Sequence, residues 1–214
     1  MLGLYKDGQR LHIKHGLYQF KEGKMSTRKG HVVWLEDVLK EAVRRARKLG
    51  CSNSNVAEIV AIGALKYNDL KRDHQNDIVF DWDEILNMKG NSGPYLQYSF
   101  ARCRSIIGKA KGLKRVGRGL ELASGRELLL LRLSARFTEV VALGAFAYAP
   151  HIICTYLYEL AQKFNEFYED HRIIEYDENG NYFVDSLRLG LVGAVSIILA
   201  NGLKLLGIKV IDKM

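Results

Sequence analysis

The sequence predicts a mainly α-helical protein in which a helical bundle follows a small α/β segment. Apolar residues recur at helical spacing through most of the chain, whereas the alternation typical of a strand occurs near the amino terminus. The chain has 214 residues, of which 48% are hydrophobic, and this suits two unequal units. We place these units at residues 1–85 and 86–214.

The first unit begins with a short strand and a basic loop. Leu11 and Ile13 alternate with polar residues in the segment 11–20, which predicts a strand ending in a turn at Glu22-Gly23. The loop 23–30, GKMSTRKG, holds three cations and two hydroxyls between two glycines. Such a loop can close over a phosphate and neutralise charge on a leaving pyrophosphate. A solvated basic turn is the alternative interpretation.

Two amphipathic helices follow this loop. Apolar residues at helical spacing predict helices over residues 35–49 and 54–70, and acidic residues begin the first helix while basic residues end it. Its basic run, residues 44–48, is either a solvated face or a contact for a nucleic-acid backbone. The segment 77–86, DIVFDWDEIL, predicts a short extended piece and a turn that Asp81 caps.

The second unit is organised around the segment 90–107, GNSGPYLQYSFARCRSII. Ser92 is a suitable N-cap and Pro94 falls in the first turn, so a helix begins near Gly93. Tyr98 and Arg102 lie one turn apart on the face opposite the apolar stripe. A tyrosine beside an arginine suits stacking on an unpaired base while the guanidinium holds a phosphate or base edge. The alternative is that the pair only packs against a neighbouring helix and has no binding role.

Further helices complete the predicted bundle. The segment 109–118 is basic and is expected to be an exposed loop, and residues 127–137 are rich in leucine at helical spacing. Pro150 begins a helix with an apolar stripe that has Tyr168 at its edge. An Asn-Gly turn follows, and residues 187–206 are apolar all round, as in a central helix. The most apolar stretch, 189–200, is shorter than the roughly 20 residues that span a bilayer.

Charge and cysteine usage restrict the partners. The net charge of +8 and the pI near 9.3 favour a polyanionic partner, for which nucleic acid is a better candidate than a membrane. His12 and His15 point to different faces of a strand, and the three cysteines are far apart without a CxxC pair. We therefore predict neither a metal site nor a disulfide framework. The amino terminus lacks a secretory signal pattern, so we expect a cytoplasmic protein.

Three segments carry a resemblance to a known family. Residues 24–30, KMSTRKG, look like a KMSKS loop, and residues 80–102, FDWDEIL through GNSGPYLQYSFAR, look like the start of a helical anticodon-binding domain. Residues 150–168, PHIICTYLYELAQKFNEFY, and the final methionine continue the match. The chain resembles, over nearly its whole length, the C-terminal portion of an arginyl-tRNA synthetase, a class I enzyme.

The resemblance implies a reaction and a set of site residues. The family joins arginine to ATP, which Mg²⁺ accompanies, as an adenylate with loss of pyrophosphate and then transfers arginine to tRNA(Arg). By resemblance, the catalytic residues are Lys24, Ser26, Arg28 and Lys29, and the loop residues that bind ATP are Lys24, Met25, Ser26 and Thr27. The tRNA-binding positions that match are Tyr98, Arg102, Tyr168 and Met214.

Two departures from the family pattern define the expectation for activity. Thr27 stands where the KMSKS signature has its second lysine, and another cation of the loop must replace it. The HIGH sequence should precede the loop by a long distance, but HIKH ends nine residues before Lys24. We therefore expect a fragment, a split gene product or a truncated chain, with a separate chain as one source of the missing half. We expect no arginylation by this polypeptide alone.

Two other function classes remain open at this stage. One is a stand-alone, non-catalytic RNA-binding protein derived from the anticodon-binding domain. The other is a helical protein–protein module with incidental basic charge, whose affinity for tRNA would depend little on salt.

Overall fold

The computed structural model describes residues 12–20, 23–24, 34–51, 53–117 and 123–213. The first elements are β1 (Tyr18–Phe20), β2 (Gly23–Lys24), α1 (Leu35–Lys48), α2 (Ser54–Leu70), β3 (Ile78–Phe80) and α3 (Trp82–Ile85). They are followed by α4 (Gly93–Lys109), β4 (Lys114–Val116), α5 (Gly125–Ala135), α6 (Phe137–Phe146), α7 (Pro150–Asp170), β5 (Ile174–Tyr176), β6 (Tyr182–Asp185) and α8 (Ser186–Leu205). The mainly α-helical fold class is confirmed.

A small sheet and a helical hairpin form the amino-terminal part. The strand order is β2-β1-β3, in which β1 and β2 are antiparallel and β1 and β3 are parallel. Helices α1 and α2 form the connection between the parallel strands β1 and β3. They pack against each other through small side chains, among them Ala42, Ala46 and Ala57. Both helices were predicted within one residue of these bounds. The Asn53 side chain caps α2 by accepting a 2.9 Å hydrogen bond from Asn55 N.

A close contact between α2 and α4 joins this part to the bundle. A Cβ atom on Gly93 would lie 2.6 Å from the carbonyl oxygen of Gly63, so the two backbones meet with no room for a side chain. The fully buried Gln97 extends the junction by donating from Nε2 to Lys209 O at 2.8 Å. Lys71, whose side chain is only 5% exposed, donates from Nζ to Asn91 O at 2.8 Å in the loop before α4. This junction fixes the orientation of α4 relative to the amino-terminal part.

Helix α4 has the two faces that its periodicity predicts. Ser92 accepts from Tyr95 N at 3.2 Å as the N-cap, and Leu96, Phe100 and Cys103 are buried. The central helix α8 packs against α4, α5 and α7, as expected. By length and composition α8 could cross a membrane, but its buried residues, such as Leu191, lie in the core of the bundle.

The segment 114–116 differs from its prediction. It forms strand β4 rather than an exposed loop and pairs in parallel with β6, in a sheet of order β4-β6-β5. The pairing buries Val184 of β6, whereas all three residues of β4 keep exposed side chains. The predicted Asn-Gly turn joins β5 to β6, with Gly180 at a positive φ of 80°. The leucine-rich segment forms a helix as predicted, α5, which ends at Ala135 before α6 begins at Phe137.

A charged cluster links α5, α8 and the second sheet. Ser124 and Glu127 form a capping box at the start of α5, and the Glu127 carboxylate is buried. Arg188 of α8 donates from Nε to Glu127 at 2.9 Å and from Nη1 to Glu175 at 2.7 Å. A buried carboxylate requires such partners, because an uncompensated charge in the interior is strongly destabilising.

The chain after α8 returns across α2 and α4. Lys66 Nζ donates to Gly207 O at 2.7 Å, and Asp212 forms an ion pair with Arg104 of α4 at 2.8 Å. Between these contacts, Ile211 is buried among the small residues of the α1–α2 hairpin. We call residues 206–213 the C-terminal tail.

The contact of Gly93 with Gly63 makes a prediction about stability. We expect Gly93→Ala to lower the free energy of unfolding by about 1–3 kcal/mol, because the new methyl group would force α2 and α4 apart. Gly190→Ala is the matched control, since a Cβ atom there meets nothing within 4 Å. This control should be neutral or stabilising by up to about 1 kcal/mol. Denaturant unfolding followed by circular dichroism measures both, and equal effects would contradict the prediction.

Candidate functional site

A cleft of about 930 Å³ lies between α4, the end of α7 and the C-terminal tail. A single stripe of α4 forms one wall, because residues spaced by three or four positions share a helix face. The side chains of that stripe are Tyr98, Arg102, Ser105 and Lys109. The other walls contain Tyr168, His171, Arg172, Asp212 and Lys213. The cleft therefore combines aromatic rings with cations.

Arg102 is held at one end of the cleft by two tyrosines. Its guanidinium carbon lies 4.9 Å from the centroid of the Tyr98 ring and 5.1 Å from that of the Tyr168 ring. Its Nη2 also donates to Tyr98 Oη at 3.2 Å. Each guanidinium–ring contact is worth about 0.5–1 kcal/mol at an exposed site. The three predicted residues thus form one cluster, although Tyr98 and Arg102 are 66–70 positions from Tyr168 in the sequence.

Asn165 fixes the orientation of this cluster. Its Oδ1 accepts from Arg102 Nη1 at 2.6 Å, and its Nδ2 donates to Tyr95 Oη at 2.8 Å and to Ser99 Oγ at 3.2 Å. The side-chain amide therefore uses both its acceptor and its two N–H donors across the α4–α7 interface. Sequence reasoning missed Asn165 as a site residue. Its position one turn before Tyr168 on α7 is the only signal that pointed to it.

The tyrosines of the cluster remain available to a ligand. Tyr98 is 39% exposed and Tyr168 is 40% exposed, whereas Tyr95 behind them is half-buried. Burial raises the pKa of Tyr95, and the hydrogen bond from Asn165 opposes that shift. Tyr95 therefore stays a neutral phenol at physiological pH. The rings of Tyr98 and Tyr168 offer surfaces on which a planar group can stack.

The described residues contain neither a cluster of metal-binding side chains nor an exposed thiol. Within those residues no cluster of three or more His, Cys, Asp or Glu side chains could hold a metal ion. Cys51, Cys103 and Cys154 are all buried. Burial raises the pKa of Cys154 to about 12 and that of Cys103 further, so neither thiol ionises near neutral pH.

The remaining predicted site residues lie mostly outside the described ranges. Lys24 belongs to β2, where its backbone pairs with Gln19 of β1. The outside positions are Met25, Ser26, Thr27, Arg28, Lys29 and Met214. Lys213, which immediately precedes Met214, lines the cleft.

Comparison with family models assigns both parts of the chain. Residues 96–214, which contain the whole Tyr98–Arg102–Tyr168 cluster, match the model for the DALR anticodon binding domain. The chain belongs to this family. Residues 2–82, which include the KMSTRKG segment, match the model for the catalytic domain of class I tRNA synthetases (R). The cleft therefore lies within the DALR domain.

Relatives and solved structures give the same assignment. The arginine–tRNA ligase of Clostridium botulinum (strain Alaska E43) is 36% identical over 211 residues, and that of Haemophilus ducreyi is 39% identical over 214 residues. Each match covers 95% of this chain and 37% of the relative. The arginyl-tRNA synthetase of Thermus thermophilus superposes with a TM-score of 0.79 at 31% identity, covering 94% of this chain and 35% of that one. The arginyl-tRNA synthetase of Plasmodium falciparum gives a TM-score of 0.73 at 25% identity, covering 95% and 35% respectively.

The hydrogen bonds of Asn165 make a prediction about the DALR domain. We expect Asn165→Ala to lower the free energy of unfolding by about 1–2 kcal/mol, because half-buried Arg102 and Tyr95 lose their shared partner. The NMR order parameter of the Arg102 Nε–Hε bond should fall as well. Gln162→Ala removes an exposed amide one turn earlier on α7 and should change stability by less than about 0.5 kcal/mol. An Arg102 side chain that is equally ordered in both variants would contradict this role of Asn165.

Proposed function

We propose that this chain is the tRNA-binding and KMSKS-loop part of an arginine–tRNA ligase. The observation that carries the proposal is the Arg102 guanidinium held against two exposed tyrosine rings at the edge of a cleft in a DALR domain. Rings that are free on one face stack on unpaired bases, and every base has such a face. The proposed ligand is the anticodon region of tRNA(Arg).

Each residue of the cluster has a distinct part in this proposal. Tyr98 and Tyr168 stack on bases of the anticodon loop, while Arg102 contacts a phosphate or a base edge. Asn165 acts as a positioning residue for Arg102. Met214 follows Lys213 at the cleft, which supports its inclusion among the tRNA-binding residues. We also propose that the chain consists of two domains, residues 1–85 and residues 86–214.

The catalytic contribution is proposed for residues 24–30, which begin with the last residue of β2. Lys24, with Arg28 or Lys29, stabilises charge on the pyrophosphate that leaves ATP, and Ser26 shapes the loop. Met25 and Thr27 complete the ATP-binding segment. Mg²⁺ accompanies the ATP and neutralises phosphate charge when bound, and arginine is the second substrate. A cytoplasmic location suits this role in protein biosynthesis.

A stand-alone RNA-binding protein is the second candidate function. The chain spans a little over a third of the length of the curated relatives that it matches, whereas the cleft is built largely from residues 98–213 of this chain. Binding of tRNA therefore needs no further polypeptide, but arginine activation needs the HIGH-bearing half. In the proposed ligase, that half is supplied by further sequence or by a separate chain.

Tyr98→Ala tests the anticodon role directly. We expect this substitution to weaken binding of tRNA(Arg) by about 1–3 kcal/mol, because one base loses its stacking surface. It should also reduce the preference for tRNA(Arg) over the same tRNA with an altered anticodon. Fluorescence anisotropy with both RNAs over a range of salt concentrations gives the dissociation constants.

Tyr176→Ala is the matched control, because Tyr176 is 62% exposed but does not line the cleft. Its affinity for both RNAs should stay at the level of the unsubstituted chain. If Tyr98→Ala bound both RNAs as the unsubstituted chain does, Tyr98 would not be a site residue. Binding that changed little with salt would favour a protein–protein module instead.

The absence of a recognisable HIGH sequence makes a prediction about catalysis. We expect the 214-residue chain to bind tRNA(Arg) but to show no arginine-dependent ATP–pyrophosphate exchange above a control without enzyme. Addition of a polypeptide carrying the HIGH-bearing half should produce exchange if the ligase proposal holds. A Lys24→Ala variant should then lower the exchange rate without changing the affinity for tRNA. Exchange by the 214-residue chain alone would contradict the prediction.

A further inference from the structure

The cleft continues along α4 for about two helical turns beyond the tyrosine cluster. Along the exposed stripe of α4, Lys109 lies seven residues after Arg102, which is about 10 Å along the helix axis at 1.5 Å per residue. Arg172, just after the end of α7, and Lys213 of the C-terminal tail line the same cleft. All three side chains are exposed. We call Lys109, Arg172 and Lys213 the cationic wall.

The acidic residues of the cleft do not neutralise this wall. Asp212 is paired with Arg104 at 2.8 Å, and Asp170 is paired with Arg126. Neither of these arginines lines the cleft, so each brings positive charge from outside to an acid at the rim. Glu169 is the remaining carboxylate among the lining residues.

The cations of the wall are not committed to internal partners. Within the described ranges, Lys109, Arg172 and Lys213 form neither a salt bridge nor a side-chain hydrogen bond. Among the described lining residues, three such cations beside one carboxylate leave an excess of positive charge. An excess of this kind attracts phosphate groups and needs no particular base sequence.

From this arrangement we infer that the cationic wall binds the sugar–phosphate backbone of the RNA strand whose bases stack at Tyr98 and Tyr168. The inference rests on the proposed function and adds a second, sequence-independent subsite to it. The separation of about 10 Å between Arg102 and Lys109 along α4 allows the two residues to contact different nucleotides of one strand. The aromatic end reads bases, and the cationic wall holds the strand in register.

The double variant Lys109→Gln/Arg172→Gln tests the inference. Removal of each cation should weaken binding of tRNA(Arg) about two- to five-fold, the range of an exposed ion pair. The slope of log K against log salt concentration should become shallower by about 0.7 for each phosphate that the protein no longer neutralises. Because phosphates are common to all sequences, tRNA with an altered anticodon should lose affinity by the same factor.

Lys204→Gln is the matched control, since Lys204 is exposed on α8 and does not line the cleft. It removes one positive charge from the chain and should leave both the affinity and the salt slope nearly unchanged. Far-UV circular dichroism of all variants checks that the fold is retained.

The outcomes separate this inference from the proposed function. If the unsubstituted chain discriminates between the two RNAs but the double variant keeps the same affinity and salt slope, the cationic wall is not a phosphate subsite. If Lys204→Gln, which removes one charge, causes half or more of the loss in binding free energy that the double variant causes, only the net charge matters and the inference is wrong. If the unsubstituted chain does not bind tRNA at all, the proposed function is wrong, and so is the inference that rests on it.

Discussion

The meeting of α2 and α4 at Gly63 and Gly93 is the constraint on which the rest of the structure depends. Two backbones in direct contact leave one relative position for the helices, and the buried Gln97 amide extends that contact to the C-terminal tail. The segments that match a catalytic domain and a DALR domain are thereby packed as neighbours. The orientation of α4 in turn sets the wall of the cleft and the direction in which Tyr98 and Arg102 project.

Sequence patterns predicted the helices well where local signals agreed with the period of the apolar residues. The Ser92 cap, Pro94 and the stripe through Leu96 and Phe100 together defined α4. Strand β4 could not be predicted in this way, because its residues, Lys-Arg-Val, are all exposed and its strand state depends on pairing with β6. Pairing between segments nearly 70 residues apart leaves no local trace.

The same distinction applies to the candidate site. The Tyr98–Arg102 pair was visible as an i, i+4 spacing on α4, and the family resemblance supplied Tyr168. Asn165 was not predicted, because its importance comes from contacts with α4 that the packing of α4 against α7 creates. The net charge of the chain likewise predicted a polyanionic partner but not a position. The proposed position rests on the cleft, where Arg104 and Arg126 pair with acids at the rim.

The C-terminal tail has a practical consequence for work with this protein. Its contacts through Gly207, Lys209 and Asp212 bring the chain back over α2 and α4 and deliver Lys213 to the cleft. Any affinity tag or fluorescent fusion attached after Met214 therefore begins two residues beyond Lys213, which lines the cleft. Such an extension would compete sterically with the RNA of the proposed function. An acidic extension would also bind to the nearby cations.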